Sequence, residues 1–249
     1  MFRPFPRVQS AAIVVAALLC GCAAGGNPRL PIPSRLVPAS VPASRLLIVL
    51  PGRGDNLDGL LHHHVAELVH RQWPDTDVLL TGLTLAYYRE GLAVPRLDRE
   101  IVQPALKHYR QVWLAGVSLG GLGALLYDRA HPGVAYGLLL LSPYLGDAPI
   151  QHEIVAAGGL ASWQPGPAQP MAPQTFQREL WRYIQHWREQ PRRTTTWLAY
   201  GDREPFRAPI ELLSPLLPAS HVVMLPGHHD WALWSTALPA LLERAGQPP

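Results

Sequence analysis

From residue 45 onward the chain alternates between short apolar runs and stretches in which apolar residues recur at helical spacing. The runs RLLIVL (45–50), DVLLTGL (77–83), QVWLAGVS (111–118), YGLLLLSP (136–143), TTTWLAYG (194–201) and HVVMLPG (221–227) read as strands. They are nearly continuous in hydrophobicity, as expected of strands covered on both faces. Between them lie predicted helices over about 56–72, 95–109, 119–130 and 231–244. Asn56 is placed to cap the first, and Pro104 to kink the second. Strands separated by helices define an α/β class with a mostly parallel central sheet and helices on both faces. In such sheets ligands gather beyond the carboxyl ends of the strands, so each candidate residue should directly follow a strand.

Residues 147–192 interrupt the alternation. Their front half, GGLASWQPGPAQPMAPQ, is rich in glycine and proline and reads as irregular. Their back half carries Phe176, Leu180, Tyr183 or Ile184, and Trp187 at helical spacing, with Pro191 as a stop. This small helical cap is expected to pack its stripe into the core; lining an acyl pocket or opening as a lid is the alternative. Before residue 45 the segment 23–44 holds Pro28, Pro31, Pro33, Pro38 and Pro42 and reads as an extended, semi-rigid tether.

The first 22 residues carry Arg3 and Arg7, an apolar stretch over 11–19, then small residues and both cysteines of the chain. That order is the one of a secretory signal, and its apolar part is short for a bilayer span. Leu19-Cys20-Gly21-Cys22 resembles the bacterial lipobox, which implies cleavage after residue 21 and a lipid on Cys22. The expectation is an envelope protein anchored to a membrane through that lipid, with simple secretion as the alternative. The folded part then holds no cysteine and no disulfide.

Composition narrows the partners. At 249 residues and 48% hydrophobic content the chain can bury a sizeable core. The net charge is only +3, and without Arg3 and Arg7 it falls to about +1 (19 basic, 18 acidic). Lys107 is the one lysine and the arginines are scattered, so no basic stripe for nucleic acid exists. No phosphate-cradling or dinucleotide glycine motif is present. His62, His63 and His64 are consecutive and point different ways on a helix, a poor chelate; no metal and no cofactor are expected.

Gly116-Val117-Ser118-Leu119-Gly120 matches G-x-S-x-G at a strand-to-helix junction. Such an elbow strains the serine, and side chains at the flanking positions would collide with neighbouring backbone. A serine hydroxyl needs a base to act as a nucleophile. Among eleven histidines, only His228 and His229 follow a strand within a fitting segment, LPGHHDWALW. At these residues the chain resembles the α/β-hydrolase superfamily, in its esterase- and lipase-like members. These run nucleophile, acid, histidine, often with the histidine in a P-G-G-H-D-W segment. Laid on that pattern, PGHHDW favours His229 over His228.

The resemblance, which covers about residues 45–244, implies the α/β-hydrolase fold and a Ser118–Asp202–His229 triad. Asp202 in WLAYGDREPF holds the acid's usual place; Asp147 in SPYLGD is the second candidate. It also implies oxyanion donors at the backbone N–H of Leu119 and of Arg53, the latter in the loop LPGRGDN. The expected activity is cleavage of a carboxylic ester or related small acyl substrate through an acyl-enzyme. A non-catalytic envelope protein that binds a lipid or glycan, and an acyltransferase or peptidase with the same triad, remain open.

Overall fold

A computed structural model describes residues 26–190 and 195–246. Cys22 and the segment before it, and Pro191, lie outside the described residues. Seven strands form one sheet: β1 (Ser34–Val37), β2 (Arg45–Leu50), β3 (Thr76–Thr81), β4 (Gln111–Val117), β5 (Gly137–Leu141), β6 (Thr196–Gly201) and β7 (Val222–Leu225). Their order is β1-β3-β2-β4-β5-β6-β7, with every pair parallel except the edge pair β1–β3.

The helices are α1 (Leu57–His62), α2 (Val65–Gln72), α3 (Leu85–Arg89), α4 (Ala93–Leu97), α5 (Gln103–Ala105), α6 (Leu119–Ala130), α7 (Ala148–Ala156), α8 (Phe176–Gln185), α9 (Arg207–Leu213) and α10 (Trp231–Ala245). Each central strand feeds two cores. Leu46, Ile48 and Leu50 of β2 face one side, with Leu97, Leu122 and Trp181. Leu47 and Val49 face the other, with Val69, Trp234 and Leu241. Both faces are therefore dry, which is why the strands read as unbroken apolar runs.

Four local expectations are corrected. The proline-rich segment is not only a tether. Its proline-free stretch Ser34–Val37 pairs with β3, and Ile32 N–H donates to Glu100 (2.9 Å) while Ala39 N–H donates to Asp77 (2.8 Å). An edge position tolerates flanking prolines because one side of the strand needs no donors. The helix over 56–72 is two helices, broken at His64, whose φ of 51° is left-handed. The helix near 95–109 starts at Ala93 and widens into a π turn over Asp98–Val102. There Gln103 N–H reaches back to Asp98 O, ahead of Pro104, which has no N–H to continue the ordinary ladder. Within the insertion, whose front half reads as irregular, Ala148–Ala156 form α7.

The cap segment packs firmly. Leu180, Trp181, Ile184 and Trp187 are buried, and the Trp181 indole N–H donates to Leu145 O at 2.8 Å. The aromatic stripe is thus core. A paired Glu153–Arg178 contact (2.5 Å) ties α7 to α8.

Candidate active site

The sheet's order reverses between β2 and β4, the place where an α/β sheet opens a crevice at its carboxyl edge. Leu50 at the end of β2 sits beside Gly116 near the end of β4. Ser118 follows β4 and leads into α6, with φ 51° and ψ −109°, an unusual conformation for a residue with a side chain. Such strain costs of order 1–3 kcal/mol and persists only where the surroundings hold it. Here Ser118 N–H donates to Leu141 O (2.9 Å), and Ser118 O accepts from Leu122 (3.2 Å) and Tyr144 (3.0 Å).

The flanking glycines have a steric cause. A Cβ on Gly120 would lie 2.1 Å from Leu50 O, and one on Gly116 would lie 2.2 Å from Gly120 O. Backbone packs where side chains would be, so the turn can be this sharp.

His229 brings its Nε2 to 2.9 Å from Ser118 Oγ. Its Nδ1 lies 2.6 Å from a carboxylate oxygen of Glu204, not of Asp202. With Nδ1–H donating to the carboxylate, Nε2 is left free to accept the serine's proton. The ring is wedged edge-on between Phe206 and Trp234, each with centroids 4.9 Å away. His228 is exposed and takes no part in this array.

The acid assignment is therefore corrected. Asp202 N–H donates to Leu225 O (2.9 Å), so this residue still belongs to the β6–β7 ladder. Its carboxylate accepts from Gly227 N–H at 2.9 Å and faces Arg203 at 3.5 Å. That backbone hydrogen bond, foremost, holds the Asp202 carboxyl below its usual range. Glu204 lies two residues further, past the turn, where a longer side chain is needed to reach the imidazole. Its side chain is fully buried. Its second oxygen accepts from the Ser142 hydroxyl and, at 3.3 Å, from Gly201 N–H. Ser142 in turn accepts from the Trp234 indole N–H at 3.0 Å. Both acids occupy one short loop, and only the register of the ladder separates them.

Asp147, the other candidate, stands apart: it accepts from Gln177 (2.8 Å) and from the Tyr144 hydroxyl. Burial, then that contact, raises the Tyr144 hydroxyl's pKa, with the Arg53 charge opposing. Asp230 caps α10, accepting from Leu233 N–H at 3.0 Å.

Two backbone donors border the serine. Leu119 opens α6, where the helix end favours negative charge. Arg53 follows Gly52, where an added Cβ would lie 3.8 Å from Ser118 Cβ, so this loop runs over the serine. Among the described residues neither amide donates to a protein acceptor. A serine–histidine–carboxylate line with adjacent free amides can form an alkoxide equivalent and hold an oxyanion.

A cavity of about 290 Å³ lined by Arg45, Trp73, Asp75 and Leu242 lies at the opposite, amino-terminal edge of the strands and holds no nucleophile. Among the described residues no cluster of three or more His, Asp or Glu could hold a metal ion, and no helix is long and apolar enough to cross a membrane. His63 and His64 diverge: His63 stacks on Trp231 (4.2 Å between centroids), and His64 faces Glu67 at 3.5 Å.

No protein-family model matches this sequence, and no curated protein matches it. Solved structures do. A ferulic acid esterase superposes with a TM-score of 0.54 at 14% identity, covering 86% of this chain and 98% of its own. A monoacylglycerol lipase of Paleococcus ferrophilus gives 0.53 at 14% identity, covering 87% and 100%. A membrane phospholipase A described as a bacterial virulence factor gives 0.50 at 21% identity, covering 87% of each chain. The fold is the α/β-hydrolase fold.

Proposed function

We propose that this protein is a serine hydrolase that cleaves carboxylic esters through an acyl-enzyme, with Ser118, His229 and Glu204 as its triad. The observation that carries the reading is the continuous line Ser118 Oγ–His229 Nε2 (2.9 Å) and His229 Nδ1–Glu204 Oε2 (2.6 Å). The esterase, lipase and phospholipase names of similar structures support an ester as substrate.

His229 takes the proton of Ser118 as its oxygen attacks the acyl carbonyl. The N–H groups of Leu119 and Arg53 hold the resulting oxyanion, each such donor being worth roughly 10² to 10³ in rate. Glu204 keeps the imidazole in the reactive tautomer and stabilises it once protonated. The imidazolium then protonates the leaving alcohol, and the same histidine activates water to release the acid. The test is turnover of p-nitrophenyl esters of graded chain length, together with fluorophosphonate labelling. Wild type turns over and labels; Ser118→Ala does neither. Folded wild type that stays unlabelled overturns the reading and favours a binding role.

The lipobox resemblance supports a second element of the reading: Cys22 carries a lipid that tethers the domain to a membrane of the cell envelope. Incorporation of labelled palmitate by wild type, and its loss in Cys22→Ala, tests it.

A further inference from the structure

The two halves of the site come from loops far apart in sequence. The loop after β2 supplies the Arg53 amide, and the loop after β7 supplies His229. A side-chain hydrogen bond joins them. The Trp231 indole N–H donates to Asp55 Oδ2 at 2.9 Å, across 176 positions of sequence.

Both ends of this contact are firmly seated. Asp55 Oδ1 accepts from Asn56 N–H at 2.8 Å, and Asp55 N–H donates to Gly52 O at 3.2 Å, closing the turn that contains Arg53. Asp55 also lies over Gly59, where a Cβ would come within 1.5 Å of Oδ1. Asn56 caps α1 through Gly59 N–H at 3.0 Å. The oxyanion loop is thus a turn folded onto the start of a helix, with Asp55 at its hinge.

Trp231 is held on both sides. One face stacks on His63 at 4.2 Å and an interplanar angle of 16°. Trp234 meets it edge-on at 5.4 Å, and Trp234 itself meets the His229 ring edge-on at 4.9 Å. Trp231 is therefore linked to the base through Trp234 and to the oxyanion loop through Asp55.

We propose that the Asp55–Trp231 pair is a positioning clasp that sets where the Arg53 amide stands relative to His229 and Ser118. Neither residue touches the reacting atoms. Their effect passes through the loop, and it rests on the hydrolase reading above. An oxyanion donor works only within about 2.7–3.1 Å of the developing charge, so a small slip of the loop weakens the transition state more than the bound substrate.

The experiment compares steady-state ester turnover and thermal unfolding for wild type, Trp231→Phe, Asp55→Ala, the double variant and Asp55→Asn. Trp231→Phe keeps an aromatic ring at the position, with part of the stacking on His63, but removes the donor. Expected is a fall in kcat of about tenfold with KM changed less than about twofold, short of the loss of a whole donor. The double variant should be no slower than Asp55→Ala alone, and Asp55→Asn, which keeps one acceptor oxygen, should recover part of the rate. Unchanged kcat in Trp231→Phe overturns the clasp, as do effects that multiply in the double variant or a lowered melting temperature without a rate defect. Those results leave the hydrolase reading standing, provided wild-type turnover depends on Ser118. Wild type without such turnover overturns both.

Discussion

Glu204 and Asp202 leave the same strand two residues apart, yet only Glu204 reaches the imidazole of His229, at 2.6 Å, while Asp202 holds the Gly227 amide at 2.9 Å. Two carboxylates of one loop thus make separate contacts: one holds the His229 imidazole, the other ties down the loop that carries it.

The pair is separable by mutation. Glu204→Gln should lower kcat by about 10³ to 10⁴, because the amide no longer favours the reactive tautomer. Asp202→Asn should cost less than about tenfold, the scale of one exposed hydrogen bond. Initial rates on a p-nitrophenyl ester decide between them. Equal losses would return the acid role to Asp202.

Ser142 supplies the hydroxyl behind Glu204. It is fully buried, and φ is 44°. Ser142→Ala leaves the buried Trp234 N–H without its acceptor and Glu204 with one donor fewer. Urea denaturation should show a loss of about 1–3 kcal/mol, the cost of stranding buried polar groups. A companion Trp234→Phe change, which also removes the orphaned donor, should recover part of that loss.

Gly120→Ala forces a methyl group to within 2.1 Å of Leu50 O. The methyl is fixed rigidly to its backbone and meets a backbone carbonyl, so no side-chain rotation relieves it. The variant should lose about 3 kcal/mol or more, or fail to fold, read as melting temperature and soluble yield. Gly54→Ala, where an added Cβ meets nothing within 4 Å, is the control.

Stability should fall on mild acidification through His221. Burial lowers its pKa, partly offset by its hydrogen bond to Thr196 O (3.0 Å), and its ring stacks on Trp197. Below the ordinary histidine value the unfolded chain binds a proton that the native chain refuses. The unfolded state then holds more protons, so stability drops as pH falls through about 6.5. His63, also lowered by burial, acts in the same direction. Melting temperatures between pH 7.5 and 5 should decline less steeply in His221→Gln than in wild type.

Much of this was legible because the central strands are dry on both faces. Six of the seven showed as apolar runs, and the elbow glycines announced a turn that excludes side chains. β1 was hidden because four residues at a sheet edge, three of them exposed, carry no apolar signature. That Ser118 would meet a histidine of the 228–229 pair was readable from residue type and order, while the preference for His229 came from the α/β-hydrolase resemblance. Glu204 was not, since choosing between two acids in GDREPF requires knowing where the β6–β7 ladder ends. The Asp55–Trp231 contact was invisible for a similar reason: nothing local marks partners 176 positions apart.

The antiparallel course of β1 fixes the side from which the chain arrives. Because Ser34 pairs with Thr81, residues 26–33 lie at the rim where Ser118 opens, with Arg96 grasping Pro28 O and Tyr87 reaching Leu30 O. Only five residues separate Cys22 from Pro28, at most about 20 Å of extended chain. A lipid on that cysteine, as proposed above, would keep the carboxyl-edge rim of the sheet within that reach of its point of attachment.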